Sequence, residues 1–202
     1  MAAQGDRLVW IDCEMTGLDL AIDELVEIAV IVTDSELVPV HEGYSVVIKA
    51  NQSALDNMGD FVTEMHTKSG LITEIEGGVS VGEAEILVLD YLQQHIPDGQ
   101  RAPLAGNSIG TDRAFLTKQM PRLDGFLHYR NVDVSSIKEL ARRWYPRAYF
   151  NSPPKEGSHR ALTDIRESIR ELAYYRDAIM VAAPGPSSDE AAAAAKRAAS
   201  AL

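Results

Sequence analysis

The sequence predicts an α/β fold built on a five-stranded mixed sheet flanked by helices, and three observations lead there. Runs rich in apolar and β-branched residues recur at 8–11, 24–33, 38–48, 102–105 and 129–134. Segments of helical period lie between and after them, clearest over 81–95 and 159–180. The first three strands follow one another with no crossover helix between them, which gives the sheet an antiparallel member.

Leu8-Val9-Trp10-Ile11 is a short buried strand that ends on the polar pair Asp12 and Glu14, and Met15-Thr16-Gly17-Leu18 turns the chain. Residues 24–33, ELVEIAVIVT, form the next strand. Asp34-Ser35 then turns it into a third over 38–48, a hairpin whose Val46-Val47-Ile48 is strongly β-prone. Residues 53–70 read as short helices and loops. Over 81–95 the apolar residues Val81, Ala84, Leu87, Val88, Tyr91 and Leu92 keep a helical period, and Pro97-Asp98-Gly99 ends it. A short strand at 102–105 leads into Gly106-Asn107-Ser108. A helix follows over 111–120, with Pro121 just beyond it.

After the strand at 129–134, Ser135 or Ser136 caps a helix to 145. A loop over 151–157 precedes the long helix at 159–180, whose apolar positions are Leu162, Ile165, Ile169, Leu172, Ala173 and Ile179. Pro184-Gly185-Pro186-Ser187-Ser188 marks a boundary. Residues 1–182 therefore read as one domain, and 183–202 as a flexible alanine-rich tail with almost no large side chain to anchor it.

A length of 202 residues and an apolar content of 46% suit one folded domain with a sizeable core. Cys13 is the single cysteine, which excludes an intrachain disulfide and a cysteine-based zinc site. There is no secretory pattern at the start and no apolar run of the ~18 to 20 residues that cross a bilayer. A cytoplasmic location without membrane contact is expected.

The net charge of −11 argues against coating a long nucleic acid. The charge is divided unevenly, with 19 acidic and 3 basic residues in 1–99 against 11 acidic and 16 basic in 100–202. An acidic protein still holds a short polyanion when metal ions cancel its carboxylates locally, so a small nucleotide substrate is favoured.

The candidate chemistry lies in five residues, each with an ordinary explanation of its own. Asp12 and Glu14 are two apart at a strand end and so point to one side of the sheet, as an exposed polar strand end also would. Asp112 opens a helix, where aspartate is common. His159 and Asp164 are separated by about 500° of helix rotation. They approach one cleft if His159 stands in the loop or cap at the helix entrance, where a histidine is also unremarkable. Together the set suits two-metal phosphoryl transfer. Oxygen ligands favour Mg²⁺ or Mn²⁺ over zinc, and an imidazole is suited to take the proton of an attacking water. No G-x-S-x-G, G-x-x-x-x-G-K-[S/T], H-E-x-x-H or G-x-G-x-x-G is present. Cys13 lies between two acids, which suits packing better than nucleophilic chemistry.

The blocks LVWIDCEMTGLD, VTEMHTKSGL, GNSIGTDRAFL, HYRNVDVSSIKELARRWYP and GSHRALTDIRESIRELAYYR occur in this order. Through them the chain, from about residue 7 to 180, resembles the DEDDh 3′→5′ exonucleases and, within them, the oligoribonucleases. The resemblance implies a ribonuclease H-like fold. It makes Asp12, Glu14 and Asp164 ligands of one divalent cation, Mg²⁺ or Mn²⁺, with Asp12 bridging to a second that Asp112 supports directly or through water. His159 becomes the general base, and 5′-mononucleotides leave from the 3′ end of very short RNA.

Leu18 resembles the wedge between two bases. His66, Ser108, Arg130 and Ser135, with Ser136 assisting, resemble the groups around a 5′ phosphate. Phe61 stands where the family has a tryptophan, so it stacks on a base with less area. Cys13 replaces a common leucine. The family's homodimer places Tyr129 in the partner's active site. The competing readings are an exonuclease of longer RNA 3′ ends or single-stranded DNA, and a non-catalytic nucleic-acid or protein interaction module. The intact acidic set and His159 argue against the second.

Overall fold

A computed structural model describes residues 6–155 and 157–200. Its strands are β1 (Arg7–Met15), β2 (Leu25–Asp34), β3 (Tyr44–Val47), β4 (Pro103–Gly106) and β5 (His128–Asp133). They form one sheet in the order β3-β2-β1-β4-β5. The β1–β2 and β2–β3 pairs are antiparallel, and β1–β4 and β4–β5 are parallel. This is the five-stranded mixed sheet the sequence predicts.

The helices are α1 (Gln52–Asp56), α2 (Asp60–Lys68), α3 (Val81–His95), α4 (Gly110–Gln119), α5 (Pro121–Phe126), α6 (Val134–Trp144), α7 (Pro146–Phe150), α8 (Ala161–Ile179) and α9 (Ser188–Ala199). Alternation along β1 sorts the two cores. Val9, Ile11, Cys13 and Met15 pack with buried residues of α3, α4 and α5. Trp10 faces the other way, with Ala29, Ile31 and Ala105, under Val134 of α6 and Ile165, Ile169 and Leu172 of α8. Asp12 and Glu14 have the parity of Trp10, so they lie on the α8 side.

The structure departs from the predicted boundaries in places where local chemistry was misread. The third strand is limited to Tyr44–Val47. Asp34 Oδ1 accepts the N–H groups of Glu36 and Val38 at 2.9 Å each, and Val40 N–H still reaches Val32. Pro39 has no N–H to give, and Gly43 at φ 99° bends the chain before β3 begins. Pro121 and Pro146 stop one helix and also start another, since each stands at the first position of a short helix. The cap of α6 is Asp133, whose carboxylate accepts Ser135 N–H at 2.9 Å; neither Ser135 nor Ser136 caps it. Helix α8 begins at Ala161, so His159 lies outside it. The alanine-rich segment, whose composition favours a helix with little to anchor it, carries α9, which opens on a Ser187–Glu190 capping box and buries no residue.

Candidate active site

The site is built where β1 outruns β4. Their pairing ends at Trp10↔Ala105, whereas β1 continues along β2 to Glu14↔Glu27 and beyond. Past Trp10 the open side of β1 meets the start of α4, and Asp112 Oδ1 accepts Cys13 N–H at 3.0 Å. That bond satisfies a backbone donor left without a sheet partner and holds a carboxylate beside Asp12. From the opposite face, α8 brings Asp164 in its first turn. His159 precedes the N-cap residue Arg160, at φ 50°. Ligand atoms of Glu14, His159 and Asp164 all lie within 4.8 Å of one another.

Burial and mutual repulsion act together on these acids. Asp12 is held well above the usual carboxylate range, first by burial and then by the charges of Asp112, Asp164 and Glu14. Glu14 is pushed up to about 8, again by burial first and then by Asp164 and Glu27. Burial raises Asp112 to about 7 against the opposing hydrogen bond from Cys13, and burial followed by Glu167 raises Asp164. Among the described residues, no lysine or arginine forms an ion pair with any of the four. His66 Nδ1 lies 3.9 Å from Glu14, too far for a hydrogen bond, and burial disfavours the charged imidazole that an ion pair would need. Crowded oxygen donors that no lysine or arginine pairs directly are suited to a divalent cation, whose charge offsets theirs.

The residues predicted to touch substrate divide into groups. Leu18 and Phe61 are solvent-exposed apolar side chains, each 76% accessible. The Leu18 loop is fixed from behind by Asp23, which accepts from Thr16 Oγ1 and Asp19 N–H, both at 2.8 Å. A Cβ on Gly17 would stand 2.4 Å from the Asp23 carboxylate, so the loop requires glycine there. Ser108 and Ser135 form a second group. Ser108 N–H donates to Asp133 Oδ1 (3.0 Å) and Ser135 Oγ (2.8 Å), and the two hydroxyls are 3.1 Å apart. Ser136 is exposed one residue further on.

Tyr129 and Arg130 lie on the exposed edge strand β5, with Arg130 Nε donating to Tyr129 Oη at 3.1 Å. Within the chain Arg130 is not joined to the serine group. It lines a groove of about 550 Å³ with Arg7, Arg101 and His128. His66, expected near a 5′ phosphate, is fully buried beneath Glu14, with Nε2 2.9 Å from the Met15 carbonyl.

Sequence reasoning passed over Glu27, Arg160 and Glu74, which meet at the entrance to α8. A signal was present: Glu27 is the one charged residue inside LVEIAVIVT, a run that is buried throughout.

Comparison with known proteins shows the family of the chain. Residues 9–172 match the protein family described as Exonuclease (RNase_T). An oligoribonuclease of Leifsonia xyli subsp. xyli is 67% identical over 96% of this chain and 94% of its own length. One of Streptomyces coelicolor is 60% identical over 95% and 96%. One of Mycobacterium tuberculosis is 59% identical over 93% and 88%. Among solved structures, E. coli exonuclease I in its metal-free complex with ssDNA superposes with a TM-score of 0.65 at 13% identity. That match covers 86% of this chain, which spans 40% of the exonuclease I chain. Exonuclease I of Methylocaldum szegediense gives 0.61 at 20% identity, with 86% and 41% covered. The shared fold is ribonuclease H-like.

Proposed function

Because the chain belongs to the exonuclease family and, within it, to the oligoribonucleases, we propose that it hydrolyses very short 5′-phosphorylated RNA from the 3′ end, from dinucleotides to about five nucleotides, releasing 5′-mononucleotides. The observation that carries this is the meeting of Asp12, Glu14, Asp112, Asp164 and His159 at one end of the sheet.

Asp12, Glu14 and Asp164 would hold one Mg²⁺ or Mn²⁺, and Asp12 with Asp112 a second. Bound there, such ions polarise the scissile phosphate, lower the pKa of water and stabilise the leaving 3′-oxygen. His159 accepts the proton of the attacking water, and its exposed position at the entrance to α8 leaves the ring open to solvent and substrate. Leu18 separates the two bases and Phe61 stacks on one of them. The Ser108 and Ser135 hydroxyls donate to the 5′ phosphate, with Ser136 at the rim. Arg130, which makes no ion pair among the described residues, is proposed as a bidentate partner of the same phosphate; in the free chain its side chain lines the groove of Arg7 and Arg101, so this contact requires it to swing towards the serines when substrate binds. His66 supports this end of the site from beneath, through its bond to the Met15 carbonyl next to Glu14.

A clamp on the 5′ end leaves no room for further nucleotides, and that is the physical basis for preferring dinucleotides. No helix among the described residues is long and apolar enough to cross a membrane, and Cys13 is a buried free thiol; both are compatible with the cytoplasmic location we assign.

The working unit is a homodimer in which Tyr129 of the partner subunit closes the site. Its support is the 74% exposure of Tyr129 on an edge strand. Tyr129→Ala and His159→Ala proteins should each be nearly inactive on a 5′-phosphorylated dinucleotide. Unfolded together and refolded at equal amounts, they should recover about a quarter of wild-type release, because half of randomly assorted dimers are mixed and one site in each is whole. No recovery in mixed dimers verified by mass would remove the shared site.

A further inference from the structure

An arginine side chain has no acceptor with which to cap a helix, yet Arg160 is the N-cap residue of α8. The first N–H of that helix, from Ala161, is taken instead by Glu27 Oε2 at 3.2 Å, from the neighbouring sheet. Arg160 donates to the other oxygen of the same carboxylate from Nε at 3.3 Å and Nη2 at 3.1 Å. It also donates to both oxygens of Glu74, from Nη1 and Nη2 at 3.0 Å each. Glu27 is thus engaged through both oxygens while 2% exposed.

Two features make this arrangement more than a surface ion pair. Glu27 stands directly opposite Glu14 in the β1–β2 register, where like charges repel unless a cation intervenes. Arg160 is that cation. His159, the residue just before it, is at φ 50°, a left-handed conformation that a residue with a Cβ keeps only when its surroundings fix it. The Arg160 side chain and the Ala161 N–H that follows it tie this segment to Glu27 of β2 and to Glu74.

We propose that Glu27, Arg160 and Glu74 form a positioning clamp that fixes the backbone of His159 at the entrance to α8. Its consequence for turnover rests on the reading of His159 as general base. The clamp itself is a statement about position. The test therefore reads position and turnover separately, in Arg160→Lys and Arg160→Met. Lysine keeps the charge but cannot bridge two carboxylates through a planar fork.

By NMR, the His159 ring signal should broaden or shift towards that of an unstructured histidine in Arg160→Met, and less so in Arg160→Lys. Exchange of the Ala161 amide should quicken by about tenfold. On a 5′-phosphorylated dinucleotide kcat should fall about tenfold in Arg160→Met, with KM within about twofold of wild type. An unchanged His159 signal and Ala161 exchange in a folded Arg160→Met protein would overturn the clamp. Should Arg160→Met fail to fold, the more exposed Glu74→Gln must itself loosen the His159 signal, and an unaltered signal there is equally decisive. Retained kcat in His159→Ala would refute the general-base reading instead, while the NMR result still decides the clamp.

Discussion

Asp12→Asn is expected to abolish mononucleotide release, by about 10³-fold or more, while making the metal-free protein more stable. Both effects have one origin. Asp12 sits where burial and the charges of Asp112, Asp164 and Glu14 oppose its ionisation, so its charge is there to meet a cation at a cost to the fold. Replacing it by a neutral isostere removes the repulsion together with the ligand. A gain of about 1 to 2 kcal/mol in the presence of a chelator is the expected size.

The pH dependence follows with a definite sign. The folded-state pKa values of Asp12, Glu14, Asp112 and Asp164 all lie above those of an unfolded chain. The native state therefore binds more protons than the unfolded state above the ordinary carboxylate range, and stability falls as pH rises. This part of the stability is fully present below about pH 4 and is lost as pH climbs through the Asp112 value of about 7 and the Glu14 value of about 8. Melting of the chelated protein at pH 6 and pH 8 should show the drop, a smaller drop in Asp12→Asn, and its reversal by Mg²⁺ in the wild type. An active Asp12→Asn, or a chelated wild type more stable at pH 8 than at pH 6, would contradict the assignment.

His159→Ala is expected to lower kcat by about 10²-fold or more, with KM little changed and Mn²⁺ affinity largely kept. Ligand atoms of His159, Glu14 and Asp164 lie close enough together for a histidine ligand to be geometrically feasible. The two roles separate cleanly in measurement. Loss of a general base lowers kcat and spares the metal. Loss of a ligand weakens Mn²⁺ binding by about 10-fold or more, and excess Mn²⁺ then rescues turnover. Calorimetric titration of Mn²⁺ into His159→Ala, beside its kinetics, distinguishes them.

How much of this was visible in the sequence depends on the range of each interaction. Period-two alternation along β1 is local, and it gave the common side of Asp12 and Glu14. The helical period of 81–95 is local too, and α3 has those bounds. The entrance position of His159 could be posed only as a condition, since the register of α8 depends on contacts with Glu27, 133 residues away. The Cys13–Asp112 bond spans 99 residues and becomes predictable only once the β1–β4 pairing is known to end at Trp10.

Burial of His66 was hidden for the same reason: VTEMHTKSGL does not say which face of α2 meets Met15. The short helices after Pro121 and Pro146 were hidden for a different one. A proline that ends one helix is equally suited to begin the next, and the sequence alone does not choose. The family resemblance supplied what periodicity could not, namely the polarity of cleavage and the short substrate.

The central claim is hydrolysis of very short RNA from the 3′ end, and its most direct measurement compares two substrates under the same conditions. A 5′-phosphorylated dinucleotide and a 5′-phosphorylated 20-mer of the same composition are each given to the enzyme with Mn²⁺, and product identity is followed with time. The dinucleotide should be cleaved at least about tenfold faster, and both substrates should yield 5′-mononucleotides from the 3′ end. Equal or faster cleavage of the 20-mer would contradict the short-RNA assignment and favour an exonuclease of longer strands.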